Sequence, residues 1–251
     1  MINMKITTIF NRKGGVGKTF LTNAIGSYLA NSGTPTLLID LDPQASLSEY
    51  FKRVHGIQKS SLNALHICGG DVTDDSAIIQ VRENLFIIQA DKYLSGAETT
   101  CDLNVLSEYL PQFEDRFKHV IMDGAGNWSP LIHSAIIASH QLIVPVFLRA
   151  DELDNALFSI ERGLAHEHLV SKILINCYTG SKTELEILEA YKPDIQDHLF
   201  NTKIPDAKDT VTRYGASAEQ ITQSKKKAIL HNAIQDLVHE TFEAKAFAEA
   251  F

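Results

Sequence analysis

Six short apolar runs, each followed by a segment with helical spacing, constrain the fold of this chain more than any other feature. Each run is rich in Ile, Leu and Val, which is typical of strands covered on both faces of a parallel sheet. The runs are KITTIF (5–10), TPTLLID (34–40), NLFIIQA (84–90), HVIMD (119–123), QLIVPVF (141–147) and KILIN (172–176). Alternating strands and helices predict an α/β fold with a doubly wound, mostly parallel sheet and helices on both faces. Since no linker or repeat interrupts the pattern, we expect one domain spanning residues 1–251.

Two segments have a clear helical face. The first predicts a helix over 18–31, because apolar residues recur at i, i+3, i+4, i+7 and i+8. These residues are Leu21, Ala24, Ile25, Tyr28 and Leu29. A last helix should begin near Ser224 and dock on the body through Leu230, Ile234, Leu237 and Val238. Residues 50–83 have no clear pattern apart from a loop at 69–71.

Composition limits the function classes. The net charge of −8 excludes a protein that binds nucleic acid through its overall charge, so any such contact needs a local basic patch. Cys68, Cys101 and Cys177 form no C-x-x-C pair, and we expect buried free thiols rather than a disulfide framework or a zinc site. The chain has no apolar run of 18 residues, and its start, MINMKITTIF, lacks the long apolar stretch of a signal peptide, so we expect a cytosolic protein.

The stretch NRKGGVGKTF (11–20) predicts a phosphate-binding loop. Gly14, Gly15 and Gly17 follow a predicted strand and precede a predicted helix, as such a loop requires. Glycines let backbone N–H groups surround an anion, and the helix N-terminus adds partial positive charge. Lys18 would reach the β- and γ-phosphates, and Thr19 would place its hydroxyl on Mg²⁺. The alternative is a glycine turn with no ligand.

The loop departs from the standard G-x-x-x-x-G-K-[ST] pattern, since Arg12 stands where glycine is required. It closely resembles the K-G-G-x-G-K-[ST] signature of the deviant Walker A ATPases, the ParA/MinD group. The resemblance implies that Lys13 crosses a homodimer interface to the partner's nucleotide, whereas Lys18 contacts the nucleotide bound to its own subunit. The alternative for Lys13 is a solvated loop lysine. The residues that the resemblance assigns to ATP in this loop are Lys13, Gly14, Gly15, Val16, Gly17, Lys18, Thr19 and Phe20.

Acidic residues end two of the predicted strands. The stretch DLDPQAS (40–46) resembles the family's switch I, which implies that Asp42 orients or deprotonates the attacking water and that Asp40 holds a Mg²⁺-bound water. A hard Mg²⁺ ion keeps several waters, so indirect carboxylate contacts suit it. The alternative for Asp42 is an exposed residue of an Asp-Pro turn.

The stretch HVIMDGAGN (119–127) predicts a Walker B strand, with Asp123 as the ligand of a Mg²⁺-bound water. The residues 124–126, Gly-Ala-Gly, resemble those of the small, plasmid-type ParA proteins. Two glycines suit a segment that senses the γ-phosphate, but an ordinary strand-end turn predicts glycine equally well.

Three residues are candidates for contact with the adenine base. Asn176 ends the strand KILIN, where the family places an Asn that hydrogen-bonds adenine, and an Asn that merely forms a turn is the alternative. Pro205 and Asp206 resemble the family's I-P segment, which runs beside the base.

A basic region follows the base candidates. Residues 201–227 carry six lysine or arginine residues against three acidic ones, a local charge of +3. ParA-like dimers bind DNA without sequence preference through this region, and by resemblance Arg213, Lys225, Lys226 and Lys227 contact DNA. The alternative is a solvated start of a helix.

The resemblance implies an ATPase in which ATP drives dimerisation, the dimer binds nucleoid DNA, and a ParB-like adaptor stimulates slow hydrolysis. The cargo would be a plasmid, a chromosome locus or a protein assembly. A regulator with negligible hydrolysis is the second reading, because Phe20 replaces the family's usual second Thr. A monomeric small-molecule ligase or kinase is the third. The C-terminal stretch HETFEAKAFAEAF is acidic, so we expect no membrane attachment by a cationic helix.

Overall fold

A seven-stranded sheet with the order β3-β4-β2-β5-β1-β6-β7 forms the centre of the protein. The computed structural model describes residues 4–97, 100–164, 166, 168–206 and 225–243. The strands are β1 Lys5–Ile9, β2 Thr36–Asp40, β3 Ile78–Arg82, β4 Leu85–Ile88, β5 His119–Asp123, β6 Gln141–Val146 and β7 Val170–Ile175. Every pair is parallel except β3–β4. The six predicted strands and the predicted fold class are therefore confirmed.

Helices connect the strands and cover both faces of the sheet. They are α1 Lys18–Asn31, α2 Ser46–His55, α3 Ala64–Cys68, α4 Leu94–Ala97, α5 Val105–Tyr109, α6 Pro130–Ile137, α7 Ala150–Leu164, α8 Lys182–Ile195 and α9 Lys225–Val238. A π-helical turn, His239–Glu243, follows α9. The predicted helix over 18–31 is confirmed at both ends, and the last helix begins one residue after the predicted start.

Two apolar clusters lie on opposite faces of the sheet, because successive strand residues point in opposite directions. Leu38 of β2 belongs to the cluster under α1, α2 and α9, whereas Leu37 and Ile39 belong to the cluster under α3 and α5–α8. The four residues that should dock the last helix are all buried, at 2% exposure or less. They are Leu230, Ile234, Leu237 and Val238.

The edge strand β3 was missed by the sequence reasoning. Its sequence, IIQVR, is half-exposed along its length, and it runs antiparallel to β4 with a bulge between Gln80 and Arg82. An edge strand needs no continuous apolar run, since one side of it faces water. The predicted loop at 69–71 is present, with Gly70 at φ +77°.

The cysteines follow the sequence expectation in part. None of the three forms a disulfide; Cys68 and Cys101 are buried, whereas Cys177 is half-buried. Among the described helices, none is both long enough and apolar enough to cross a membrane.

Candidate functional site

The glycine-rich loop joins β1 to α1 at the carboxyl edge of the sheet, where ligands of open α/β sheets bind. Asn11 anchors its start: the buried Nδ2 donates to the Pro145 carbonyl at 2.8 Å, and Oδ1 accepts from the Lys13 N–H at 3.0 Å. No side chain caps the N-terminus of α1. Its first N–H groups and its positive dipole end are therefore available to an anion.

Lys18 is buried at the base of this loop. Its Nζ donates to the carbonyls of Asn11 at 3.0 Å and Lys13 at 3.1 Å. Burial lowers the pKa of Lys18, and the carboxylates of Asp123 and Asp42 oppose that shift. An ammonium held among loop carbonyls at a helix N-terminus is suited to contact a phosphate oxygen.

Gly17 is a position where this chain needs glycine. Its φ is +92°, and a Cβ there would overlap Nδ2 of Asn176. That amide is buried and donates to the Val16 carbonyl at 2.7 Å. The predicted base-contact residue Asn176 therefore lies directly beneath the loop, immediately after β7.

The other two base candidates lie beside Asn176. Pro205 forms an isolated parallel bridge with Tyr178, and the Asp206 N–H donates to the Tyr178 carbonyl at 3.0 Å. The fold thus brings Asn176, Pro205 and Asp206 close together beside the loop. None of the three belongs to the lining of the cavity described below.

Two carboxylates meet where β2 and β5 end. Asp40 and Asp123 are register partners on these adjacent parallel strands, and both are buried. Burial raises the pKa of Asp40 to about 6, against the effect of hydrogen bonds from Ser48. Burial and the neighbouring Asp40 carboxylate raise the pKa of Asp123 well above its ordinary value, against the effects of Thr19 and Lys18. Two buried acids this close favour a cation between or beside them.

Asp40 has a second role that the sequence reasoning missed. Its Oδ2 accepts from the Ser48 N–H at 2.9 Å and from the Ser48 hydroxyl at 2.7 Å, and its Oδ1 accepts from the Asp42 N–H at 3.2 Å. The residue before α2, Ala45, has no capping side chain. Asp40 therefore caps α2 from the end of β2.

Asp123 is the better placed carboxylate for a metal-bound water. Its Oδ1 accepts from the Thr22 hydroxyl at 3.4 Å, whereas Oδ2 is buried without a hydrogen-bond partner among the described residues. An unpartnered buried carboxylate oxygen is costly unless something neutralises it. Oxygen donors from Asp123, Asp40 and Thr19 fit a hard divalent cation such as Mg²⁺, which would supply that neutralising charge and hold waters here.

A cavity of about 710 Å³ opens above the loop. Its lining includes the candidate residues Lys18, Thr19 and Phe20, and Asp42, whose Oδ1 accepts from the Gln44 N–H at 2.9 Å. Other lining residues, among them Ser95, Gly126 and Asn127, were not predicted individually. Gly126 and Asn127 belong to the stretch after β5 that was flagged by its two glycines, whereas nothing in the sequence marked Ser95.

Lys13 points away from this cavity. Its Nζ forms an exposed ion pair with Asp151 of α7 at 3.4 Å, and it lines a second cavity of about 540 Å³. The two lysines of the loop are therefore separated: Lys18 is buried at one cavity, and Lys13 is exposed at the other.

Gly124, the first residue after β5, is a glycine for a packing reason. A Cβ on Gly124 would lie 2.9 Å from the Ile9 carbonyl oxygen and 3.1 Å from the Phe10 ring. The Gly124 N–H also donates to that carbonyl at 2.9 Å. Close approach of the β1 backbone therefore accounts for the glycine here.

The DNA candidates are not defined by the structure. Arg213 lies outside the described residues. Lys225, Lys226 and Lys227 form the first turn of α9, and only their backbone is described.

Comparisons with known proteins match nearly the whole chain. A family model described as an AAA domain matches residues 4–157. The sporulation initiation inhibitor protein Soj of Bacillus subtilis is 29% identical over 221 residues, which cover 80% of this chain and 84% of Soj.

Two solved structures share the fold. A plasmid partition protein from Borrelia burgdorferi, bound to AMPPNP, superposes with a TM-score of 0.77 at 20% identity and covers 95% of this chain and 99% of its own. Cobyrinic acid a,c-diamide synthase from Mycobacterium smegmatis, with a bound ATP analogue and magnesium, superposes with a TM-score of 0.75 at 23% identity, covering 96% and 98%. One fold thus carries different activities in these two proteins.

Proposed function

The chain belongs to the ParA/MinD family of ATPases, within the AAA-domain family that matches residues 4–157, and on that premise we propose that it is an ATP- and Mg²⁺-dependent partition ATPase. Two copies would clasp two ATP molecules face to face. The dimer would bind DNA without sequence preference, and an adaptor of the ParB type would stimulate slow hydrolysis. The working unit would be one domain over residues 1–251, acting in the cytoplasm on nucleoid DNA.

The separation of the two loop lysines carries this proposal. Lys18, with an exposure of 7%, lies where a phosphate bound at the N-terminus of α1 would need a cation. Lys13 is nearly half exposed, and among the described residues its ammonium pairs only with Asp151, in an exposed ion pair that stabilises it by at most about 1 kcal/mol. Lys13 can therefore leave Asp151 at low cost for the nucleotide of a second copy.

The acids at the strand ends support hydrolysis. Asp123 and Asp40, with the Thr19 hydroxyl, would hold Mg²⁺ through its waters, and the cation would neutralise charge on the phosphates. Asp42 lines the same cavity and would position the attacking water. Beside the loop, the adenine base would contact Asn176, Pro205 and Asp206.

The basic residues of the C-terminal third would supply the DNA contacts. Arg213, Lys225, Lys226 and Lys227 would neutralise backbone phosphates, so DNA affinity should fall steeply with salt. Replacing the three lysines by Ala should weaken DNA binding and flatten its salt dependence. A control variant that loses the same charge, with Lys92, Lys182 and Lys192 changed to Ala, all exposed, should bind DNA as the wild type does.

Phosphate release tests the proposed activity. Turnover should be slow for the protein alone and should rise when DNA and a small basic DNA-binding adaptor are added together. Lys18→Ala should abolish release under every condition. No stimulation by any adaptor would instead favour the regulator with negligible hydrolysis. ATP-dependent turnover of a small acceptor by monomers would favour the ligase or kinase reading.

A further inference from the structure

One face of α7 presents a strip of four residues to solvent. Asp151, Asn155, Phe158 and Arg162 are spaced i, i+4, i+7 and i+11, which places them on one narrow face of the helix. The opposite face packs into the core through Leu153, Ala156 and Ile160, all buried. Phe158 is 37% exposed, so its ring contributes apolar surface to this face. We name these four residues the α7 strip.

Two arginine side chains, Arg162 of the strip and Arg12 of the loop beside it, lie over aromatic rings. The Arg162 guanidinium lies 5.1 Å from the Trp128 ring centre and 5.0 Å from that of Phe158, and Arg12 lies 5.6 Å from the Phe158 ring centre. Within the described part of the chain, neither guanidinium forms a hydrogen bond or an ion pair. Rings that cover the faces of a guanidinium leave its edge free to bind a carboxylate in a fork.

The α7 strip is continuous with the surface around Lys13. Asp151 pairs with Lys13 at 3.4 Å. The 540 Å³ cavity lies between the two, with Arg12 and Lys13 on its loop side and Asn155, Phe158 and Arg162 on its helix side. A second copy that received Lys13 would therefore approach the α7 strip as well.

We propose that the α7 strips of two copies pair antiparallel across the two-fold axis of the ATP-bound dimer, with Asp151 of each facing Arg162 of the other. This inference rests on the dimer of the proposed function and names a contact that determines which copies pair. The same register places Asn155 of each copy against Phe158 of the other. The two ion pairs lie about 16 Å apart, at opposite ends of the strip. They form together because the two-fold axis relates one to the other.

Charge complementarity identifies the occupant as a second copy of this chain. The α7 strip carries its acid at the N-terminal end and its base at the C-terminal end. Antiparallel pairing therefore matches opposite charges twice, as an isologous contact requires, whereas parallel pairing sets like against like. When Lys13 leaves Asp151 for the second copy's nucleotide, Arg162 of that copy replaces it as the partner of Asp151.

Charge reversal with complementation tests the pairing. Arg162→Asp and Asp151→Arg should each weaken dimers formed with Mg²⁺ and a non-hydrolysable ATP analogue by about 30-fold, because two symmetry-related pairs change from attraction to repulsion. An equimolar mixture of the two variants should recover most of the wild-type affinity, since both contacts in the mixed dimer join opposite charges. Sedimentation velocity over a dilution series measures each constant.

A neighbouring residue supplies the control. Glu161→Arg reverses an exposed charge beside Arg162 but off the strip, and should dimerise as the wild type does. Wild-type nucleotide affinity and circular dichroism in each variant establish that the monomers are intact.

Three outcomes would overturn the pairing. Single variants that dimerise normally would show that the strips do not meet. Weakened variants that do not recover on mixing would show that the strip acts within one monomer or binds another partner, such as an acidic peptide. A wild type that stays monomeric with nucleotide would remove the proposed dimer itself, which separates that failure from the first two.

Discussion

Replacing Gly17 by Ala tests the packing of the phosphate loop against the end of β7. At φ +92° a residue with a Cβ is strained by about 1–2 kcal/mol. The new methyl group would also overlap Asn176 Nδ2, whose buried hydrogen bond to the Val16 carbonyl would have to break at a cost of about 1–3 kcal/mol. We therefore expect a loss of about 3 kcal/mol, or a fall in melting temperature of roughly 6–12 °C for a chain of this size.

The assay is thermal unfolding of the protein without nucleotide, so that lost ATP contacts do not contribute. Gly14→Ala is the control in the same loop, because no atom lies within 4 Å of a Cβ at that position and its φ is not in the left-handed region. It should melt within about 1–2 °C of the wild type.

A double variant separates overlap from backbone strain. Asn176→Ala removes the amide that the new methyl group would overlap. In that background Gly17→Ala should therefore lower the free energy of unfolding by about 1–2 kcal/mol less than it does in the wild type. Fully additive losses, or a Gly17→Ala protein as stable as the wild type, would refute the contact between these two positions.

The remaining predictions concern acid stability, hydrolysis and the docking of the C-terminal turn. Burial lowers the pKa of His119 to about 4, and the nearby charges of Lys118 and Lys5 add to this shift. The stability that the neutral imidazole gives the folded state is therefore complete above about pH 6.5 and is lost as the pH falls toward 4. Between pH 7.5 and pH 4.5 the free energy of unfolding, measured with urea, should fall by about 2.5 kcal/mol more in the wild type than in His119→Asn. Asp42→Ala should bind ATP and accumulate as a dimer in light scattering, and rapid phosphate release from it would contradict the role of Asp42. Glu240 accepts from the N–H groups of Asn201 at 2.8 Å and Thr202 at 2.9 Å. Glu240→Gln should therefore lower the free energy of unfolding in urea by about 1–2 kcal/mol. An unchanged urea midpoint would contradict a stabilising role for these two hydrogen bonds.

Local patterns predicted the parts of the protein that depend on local sequence. Period and composition located six strands and α1, and the glycine loop predicted a phosphate site between β1 and α1, because strand, turn and helix there are contiguous. The resemblance assigned Asp40 and Asp123 separately to Mg²⁺-bound water, and the structure pairs the two residues in register at the end of adjacent strands.

Contacts between distant segments were beyond the sequence. Asn176 binds the Val16 carbonyl from 160 positions away, and no pattern in either segment indicates that pairing. Asp40 caps α2 through Ser48 because the fold places the end of β2 beside the first turn of α2. The stacking of Arg12 on Phe158 likewise depends on how α7 packs against the loop.

The central claim is that each copy lends Lys13 to the nucleotide of the other. Multi-angle light scattering of Asp42→Ala and of the double variant Lys13→Ala/Asp42→Ala, each with saturating ATP and Mg²⁺, tests it most directly. We predict that the chain with Lys13 doubles its mass when ATP is added, whereas Lys13→Ala binds ATP and keeps the mass of one chain. A Lys13→Ala protein that doubles its mass as readily as its parent would contradict the account.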